Sequence, residues 1–162
     1  MELTHLNKDN QPVMVDVGDK RVTRRTATAQ AAVLFPPGLL DRLERTADGE
    51  QRSPKGPITQ TAILAGIAAA KKTSELIPLC HLIPLDNCRV EIRTQGSDQL
   101  LIQCIARATH KTGVEMEALT GAAIAALTVY DMCKALSHRI VIENIRLIEK
   151  TGGKSDVHDD AH

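Results

Sequence analysis

Asp131 and Lys134 stand three residues apart in a run, Ala122 to Ala135, whose other members are almost all apolar or small. On a helix that spacing puts both side chains on one face, where they can meet each other or one ligand. An acid and an amine placed together can relay protons, each setting the charge state of the other; with nothing else nearby they would be an ordinary helical ion pair. The apolar surroundings predict that the pair lies in a largely buried helix. Lys134 falls near the C-terminal end, where the helix dipole favours a cation, so it should stay charged and suit an anionic ligand.

Three other groups could take part. Lys55 precedes Gly56-Pro57, a helix-start signal, and the free N–H groups of a helix start form an anion site that a lysine would strengthen; otherwise it is a solvated loop lysine. Glu115 and Glu117 lie towards the opposite end of the helix carrying Asp131. Thr112-x-x-Glu115 has the form of a capping box, which gives Glu115 a structural role. Glu117 falls on roughly the same face as Asp131, but four turns at 1.5 Å per residue separate them by ~21 Å. One reacting centre cannot use both ends, so either the substrate is long or subunits complete each other's sites. Cys80-His81 sits in an apolar stretch bounded by prolines: either a half-buried histidine fixed by backbone contacts or a donor to a base or phosphate. No standard zinc spacing is present, and no metal site is expected.

Two patterns mislead. Gly152-Gly153-Lys154-Ser155 resembles the end of a P-loop, but Ile148 stands where that motif needs its first glycine and no helical pattern follows. Lys150 and Lys154 could still meet phosphates. His158 and His162 share a helical spacing, but so close to the terminus they read as a solvated end.

The elements that must position these residues follow from periodicity. Val13 to Val17 and Arg25 to Phe35 read as extended, the second with Ala27, Ala29, Ala31 and Val33 on one face. Leu39 to Thr46 predicts a short helix and Ala47 to Pro54 a polar loop. A helix is expected from Pro57, as its first helical residue, to about Leu76, where Pro78 ends it. Cys88, Val90 and Ile92 alternate with charged residues, and after a Gln95-Gly96-Ser97-Asp98 turn the return strand places Leu100, Ile102, Cys104, Ala106 and Ala108 on one face. The long helix runs from the Thr112 box to about Leu136, a last strand covers Arg139 to Glu149, and a polar tail follows. This order predicts one domain over 1–162, an α+β sandwich of ferredoxin-like or split-βαβ plan, with helices packed on one face of a mostly antiparallel sheet. Residues 1–12, 47–55 and 151–162 are expected to be mobile.

Composition bounds the function. Twenty basic and twenty acidic residues leave a formal charge of zero, which argues against a dedicated nucleic-acid surface. Phe35 and Tyr130 are the only aromatic residues among 162, so base stacking on aromatic platforms is excluded as a general mode, and the core must be built from Ala, Ile, Leu and Val. No run approaches the ~20 apolar residues of a membrane span, the N-terminus lacks an apolar signal region, and four scattered cysteines read as reduced thiols. A cytoplasmic protein is expected.

Several segments in order resemble the MoaC family, the cyclic pyranopterin monophosphate synthases of molybdenum cofactor biosynthesis. They are Leu3-Thr4-His5-Leu6-Asn7, Met14-Val15-Asp16-Val17, Ile77-Pro78-Leu79-Cys80-His81, the run Lys111-Thr112-Gly113-Val114-Glu115-Met116-Glu117-Ala118-Leu119-Thr120, Tyr130-Asp131-Met132-Cys133-Lys134, and Thr151-Gly152-Gly153-Lys154-Ser155. The resemblance implies a lyase that takes 3′,8-cyclo-7,8-dihydroguanosine 5′-triphosphate, made by a radical enzyme, to cyclic pyranopterin monophosphate with release of pyrophosphate. It implies a ferredoxin-like fold in a homohexamer, a trimer of dimers, with sites at subunit boundaries. Asp131, Lys55 and Lys134 match the catalytic residues; Leu79, Cys80, His81, Glu115, Met116 and Glu117 match substrate-binding segments; Arg25, Lys150 and Lys154 fall to the triphosphate. No protein-bound cofactor is implied, and Mg²⁺ could accompany the triphosphate. Pro57, where the family commonly has an acid, and Leu82, where it has proline, depart from the pattern without removing a reacting group.

Two other functions fit the same residues: a nucleotide-binding regulatory module without turnover, and a partner that captures the radical enzyme's product. An acid paired with Lys134, together with Lys55, favours catalysis, because phosphate binding alone needs no buried acid.

Overall fold

The computed structural model describes residues 11–159. The Leu3 to Asn7 segment and His162 lie outside the described residues, as does most of 1–12. The chain runs through β1 (Thr23–Leu34), a 3₁₀ turn at Leu40–Arg42, and three short strands β2 (Glu44–Arg45), β3 (Gln51–Ser53) and β4 (Gly56–Pro57). Helices α1 (Ile58–Ala70) and α2 (Thr73–Leu76) follow, then strands β5 (Asn87–Gln95) and β6 (Gln99–His110). Helix α3 (Glu115–Cys133) and strands β7 (Val141–Thr151) and β8 (Val157–His158) complete it.

The main sheet has the order β5-β6-β1-β7-β8, every neighbouring pair antiparallel. β1 and β5 are therefore parallel with β6 between them, and β6 and β7 are parallel with β1 between them. These are two split βαβ units, crossed by α1 and α3, which is the expected ferredoxin-like plan. β2, β3 and β4 form a separate small sheet.

The core explains the near absence of aromatic residues. Ala27, Ala29, Ala31 and Val33 of β1 and Ile102, Cys104, Ala106 and Ala108 of β6 are at most 1 % exposed and belong to the core on which the helices pack. Alanine on both sides lets helix and sheet approach closely. The two helices come closer still where Gly66 meets Gly121: a Cβ on Gly121 would stand 2.4 Å from Cys104 Sγ, and one on Gly66 would stand 2.8 Å from the Gly121 carbonyl oxygen.

Local expectations needed correction. Val13 to Val17 forms no strand and runs as irregular chain. Leu39 to Thr46 makes no α-helix but a 3₁₀ turn followed by β2, because the chain extends at Leu43 (ψ 138°). The loop at 47–54 contains β3, paired with both β2 and β4. Pro57 is extended and precedes the first helical residue, Ile58. The helix expected to reach Leu76 breaks at Lys71-Lys72, and the Thr73 hydroxyl donates to the Ala70 carbonyl at the break. No capping box forms: Val114, not Thr112, is the cap residue of α3, and no side chain caps it. α3 ends at Cys133 with a turn to Leu136, the final strand is shifted to Val141–Thr151, and the tail adds β8, with Glu149 opposite His158.

Candidate active site

The candidate side chains form two groups at the two ends of α3. At its C-terminal end, Asp131 lies between two lysines. Lys55 Nζ donates to Asp131 Oδ2 at 2.7 Å and Lys134 Nζ approaches Oδ1 at 2.8 Å. The spacing of Asp131 and Lys134 made their meeting legible; Lys55 arrives from the turn between β3 and β4, 76 residues away in sequence. That turn is tight: Gly56 has φ 120°, and Lys55 N–H donates to Ser53 Oγ at 3.2 Å. Hydrogen bonds from Lys134 first, then Lys55, hold the Asp131 carboxyl down at about 2, so it is ionised throughout the neutral range. Asp131 in turn raises the Lys134 ammonium above its ordinary value.

This cluster is not buried, contrary to the expectation from its apolar surroundings. The Asp131 and Lys134 side chains are 52 % and 47 % exposed. Ala118, Ala122, Ala125, Ala126, Val129 and Met132 form the buried stripe of α3, whereas Leu127, Asp131 and Lys134, at i, i+4 and i+7, line its open face.

At the other end of α3 lies a cavity of about 380 Å³ lined by Leu79, Cys80, His81, Ile83, Met116 and Glu117, with Val15 and Lys20 at its margin. The irregular chain before β1 forms one wall of it, tied there where His81 Nε2–H donates to the Val15 carbonyl at 2.8 Å. The histidine is thus fixed by backbone and also lines the cavity. Glu117 is only 3 % exposed. Burial, with help from the neighbouring Glu115 charge, pushes its carboxyl up to about 7, the range in which an acid can both give and take a proton near neutrality. Burial also raises the Cys80 thiol, with the Glu117 charge adding to it, so Cys80 is present as the thiol.

A second cleft of about 360 Å³ adjoins this cavity, sharing Lys20, Thr112 and Gly113 with it. Lys20, Arg21, Arg25, Lys111 and Lys154 line it. Arg25 is aimed by two carbonyls, donating from Nε to His110 O at 3.3 Å and from Nη2 to Lys111 O at 3.2 Å. The Gly152-Gly153 loop carries Lys154. Gly152 sits at φ 81° with its α-carbon against the Arg24 carbonyl, so close that a Cβ would stand 1.9 Å from that oxygen. Lys150 is instead paired with Glu115 at 3.1 Å, and the Glu115 carboxylate lies over Gly113, in the space a Cβ there would take. Sequence reasoning misses Lys20, Arg21 and Lys111. Lys111 opens the most distinctive motif and so carried a usable signal; Asp19-Lys20-Arg21 reads as an ordinary solvated turn.

Cys88 and Cys104 fall on facing strands as expected, with sulfurs 3.9 Å apart. Among the described residues no three His, Cys, Asp or Glu side chains gather to hold a metal ion, and no helix is long and apolar enough to cross a membrane.

A ferredoxin-like scaffold with a cationic trough, a buried carboxyl of near-neutral affinity and a lysine–carboxylate–lysine cluster has the equipment of an acid–base enzyme for a polyanionic substrate. The profile of the MoaC family matches residues 14–153. The chain is 55 % identical over 155 residues to the cyclic pyranopterin monophosphate synthase of Xanthomonas campestris pv. campestris (strain 8004), covering 96 % of this chain and 92 % of that protein. It is 48 % identical to the molybdenum cofactor biosynthesis bifunctional protein of Synechocystis sp., over 95 % of this chain and 45 % of that protein. The same identity relates it to molybdenum cofactor biosynthesis protein 1 of Dictyostelium discoideum, over 95 % of this chain and 27 % of that protein. The chain belongs to the MoaC family, and it is an enzyme of molybdenum cofactor biosynthesis.

Proposed function

We propose that this chain converts 3′,8-cyclo-7,8-dihydroguanosine 5′-triphosphate to cyclic pyranopterin monophosphate and pyrophosphate, by lysine and aspartate acid–base catalysis. The observation that carries this reading is the adjacency of the two clefts: a mixed polar and apolar cavity of heterocycle size shares Lys20, Thr112 and Gly113 with a trough lined by five cationic side chains. A nucleoside triphosphate has that shape and charge distribution, and charge-assisted hydrogen bonds from Arg25, Lys111 and Lys154 suit its phosphates.

Making a cyclic monophosphate from a triphosphate requires an internal hydroxyl to attack the α-phosphorus while pyrophosphate leaves. A base must take the hydroxyl proton, and fixed cations must hold the leaving charge. Rebuilding the guanine ring system needs further proton transfers and no external oxidant. Lys55, Asp131 and Lys134 carry the proton transfers at this end as one cluster, the Asp131 carboxylate holding the two ammonium groups in place. Glu117 faces the heterocycle end, where its affinity lets it exchange a proton at neutral pH. Any Mg²⁺ travels on the triphosphate, since both Asp131 oxygens are taken by lysine; no other cofactor is proposed.

The two groups are separated by most of the length of α3, ~21 Å at 1.5 Å per residue. A single substrate reaches both only if the Asp131 end of one subunit faces the Glu117 end of another. We therefore assign shared sites in a homohexamer, a trimer of dimers, working in the cytoplasm after a radical enzyme that supplies the cyclised nucleotide. A relative that is bifunctional, with this chain spanning under half of it, is in keeping with such a functional link.

The test is to incubate the purified protein with the cyclised dihydro-nucleotide and follow pyrophosphate and pterin product. Stoichiometric release of both, lost in Asp131→Asn, supports the proposal. Tight binding without product would point to a nucleotide-binding module instead.

A further inference from the structure

Lys55 reaches Asp131 from a short turn, and something must hold that turn in place. The β3–β4 pairing, Ser53 opposite Gly56 and Arg52 opposite Pro57, closes the turn on itself, but Pro57, the residue before α1, offers no side-chain acceptor to the first N–H groups of the helix. The helix-start signal at Gly56-Pro57 suggests that those groups are free for phosphate. They are instead taken by Glu50. One of its oxygens accepts from Thr59 N–H at 2.8 Å and from Gln60 N–H at 3.4 Å, and the other accepts from the Thr59 hydroxyl. Glu50 is itself pinned at the β2–β3 turn, where its carbonyl accepts from Thr46 N–H at 2.9 Å and its N–H donates to Thr46 Oγ1 at 3.1 Å. β3 then runs directly from Glu50 to the Lys55 turn.

We propose that Glu50 is the positioning residue for Lys55: its carboxylate clasps the β2–β3 hairpin to the first turn of α1 and so holds the lysine ammonium on Asp131. Glu50 thus does two things at once. It caps a helix whose own cap position is occupied by proline, and it fixes the strand that carries a reacting amine. The inference rests on the proposed function only for its consequence in turnover; the clasp itself can be read without substrate.

Two readouts separate positioning from mere stability. The first is the titration of the Asp131 carboxyl, followed by ¹³C NMR on aspartate-labelled protein without substrate; the groups facing Asp131 are Lys55 and Lys134. In Glu50→Ala the midpoint should rise by about one unit as the Lys55 ammonium drifts away while Lys134 remains. The second is turnover: kcat should fall at least about tenfold with KM held within about twofold, since the loss is in reacting geometry and not in phosphate binding. Glu50→Gln keeps one acceptor oxygen and should fall between wild type and Glu50→Ala in both. In Glu50→Ala/Pro57→Asp, the aspartate supplies a local cap, so thermal stability should return while the Asp131 midpoint and kcat do not. An unmoved midpoint in Glu50→Ala, or a double variant that regains kcat along with stability, would overturn the inference. A midpoint that moves as described in a protein that never turns over the nucleotide would sink the proposed function and leave the clasp standing.

Discussion

Asp131 is held between two ammonium groups in water, not in a dry interior, so its role depends on the lysines staying where they are. Its carboxyl titrates at about 2 because hydrogen bonds from Lys134 and Lys55 favour the charged form. Asp131→Asn should keep the fold and remove turnover; Lys55→Ala should do the same, and a Lys55→Ala enzyme of normal rate would remove that lysine from the account. Glu117 is the opposite case. Buried and raised to about 7 from an ordinary 4.5, it binds its proton more tightly folded than unfolded. Stability therefore falls as pH rises from about 4.5 through about 7, a contribution on the order of 3 kcal/mol. Glu117→Gln should accordingly melt higher than wild type at pH 8 and converge with it below pH 5, as thermal unfolding across pH would record. The sequence points to both acids, but it places Asp131 inside and marks Glu117 only as a binding residue. Apolar neighbours on α3 belong to the stripe facing the sheet, and sequence spacing alone does not tell which stripe a given residue joins.

At the scale of elements, α1 and α3 work because each gives up a side chain where they cross. Gly121→Ala would drive a methyl into Cys104 Sγ, and overpacking of this kind costs about 1–3 kcal/mol; thermal unfolding of that variant should show a clear drop in Tm. Gly152→Ala meets both a φ of 81° and the Arg24 carbonyl, so it should displace the Lys154 loop and raise KM more than it lowers kcat. The helix–sheet core and the long hairpin are legible in the sequence because periodicity marks elements with one buried face: Cys88, Val90 and Ile92 of β5 stand opposite Ala106, Cys104 and Ile102 of β6, and β1 buries its alanines as read. The small sheet of β2, β3 and β4 is not. Its strands are two or three residues long, too short for alternation to emerge, and its hold on α1 comes from a glutamate that reads as one more charge in a polar loop. The missing capping box has a similar cause, because Glu115 is drawn to Lys150, a partner from β7 that no local pattern encodes.

For the whole molecule, the decisive feature is that one chain keeps its cationic trough and its lysine–carboxylate cluster at opposite ends of one helix. The distance is legible from the residue numbers and the helical rise alone, and the proposal of shared sites rests on it. The most direct test is complementation between two inactive variants. Asp131→Asn damages the cluster and Arg25→Glu the trough, and each alone should fail to release pyrophosphate from the cyclised nucleotide. After the two are unfolded together and reassembled, paired subunits should create intact sites alongside doubly damaged ones, recovering about a quarter of the wild-type rate if subunits pair at random. Recovery at that level is expected of sites shared between subunits. A reassembled mixture as inactive as its parents would contradict that sharing, and would require each chain to carry a complete site of its own.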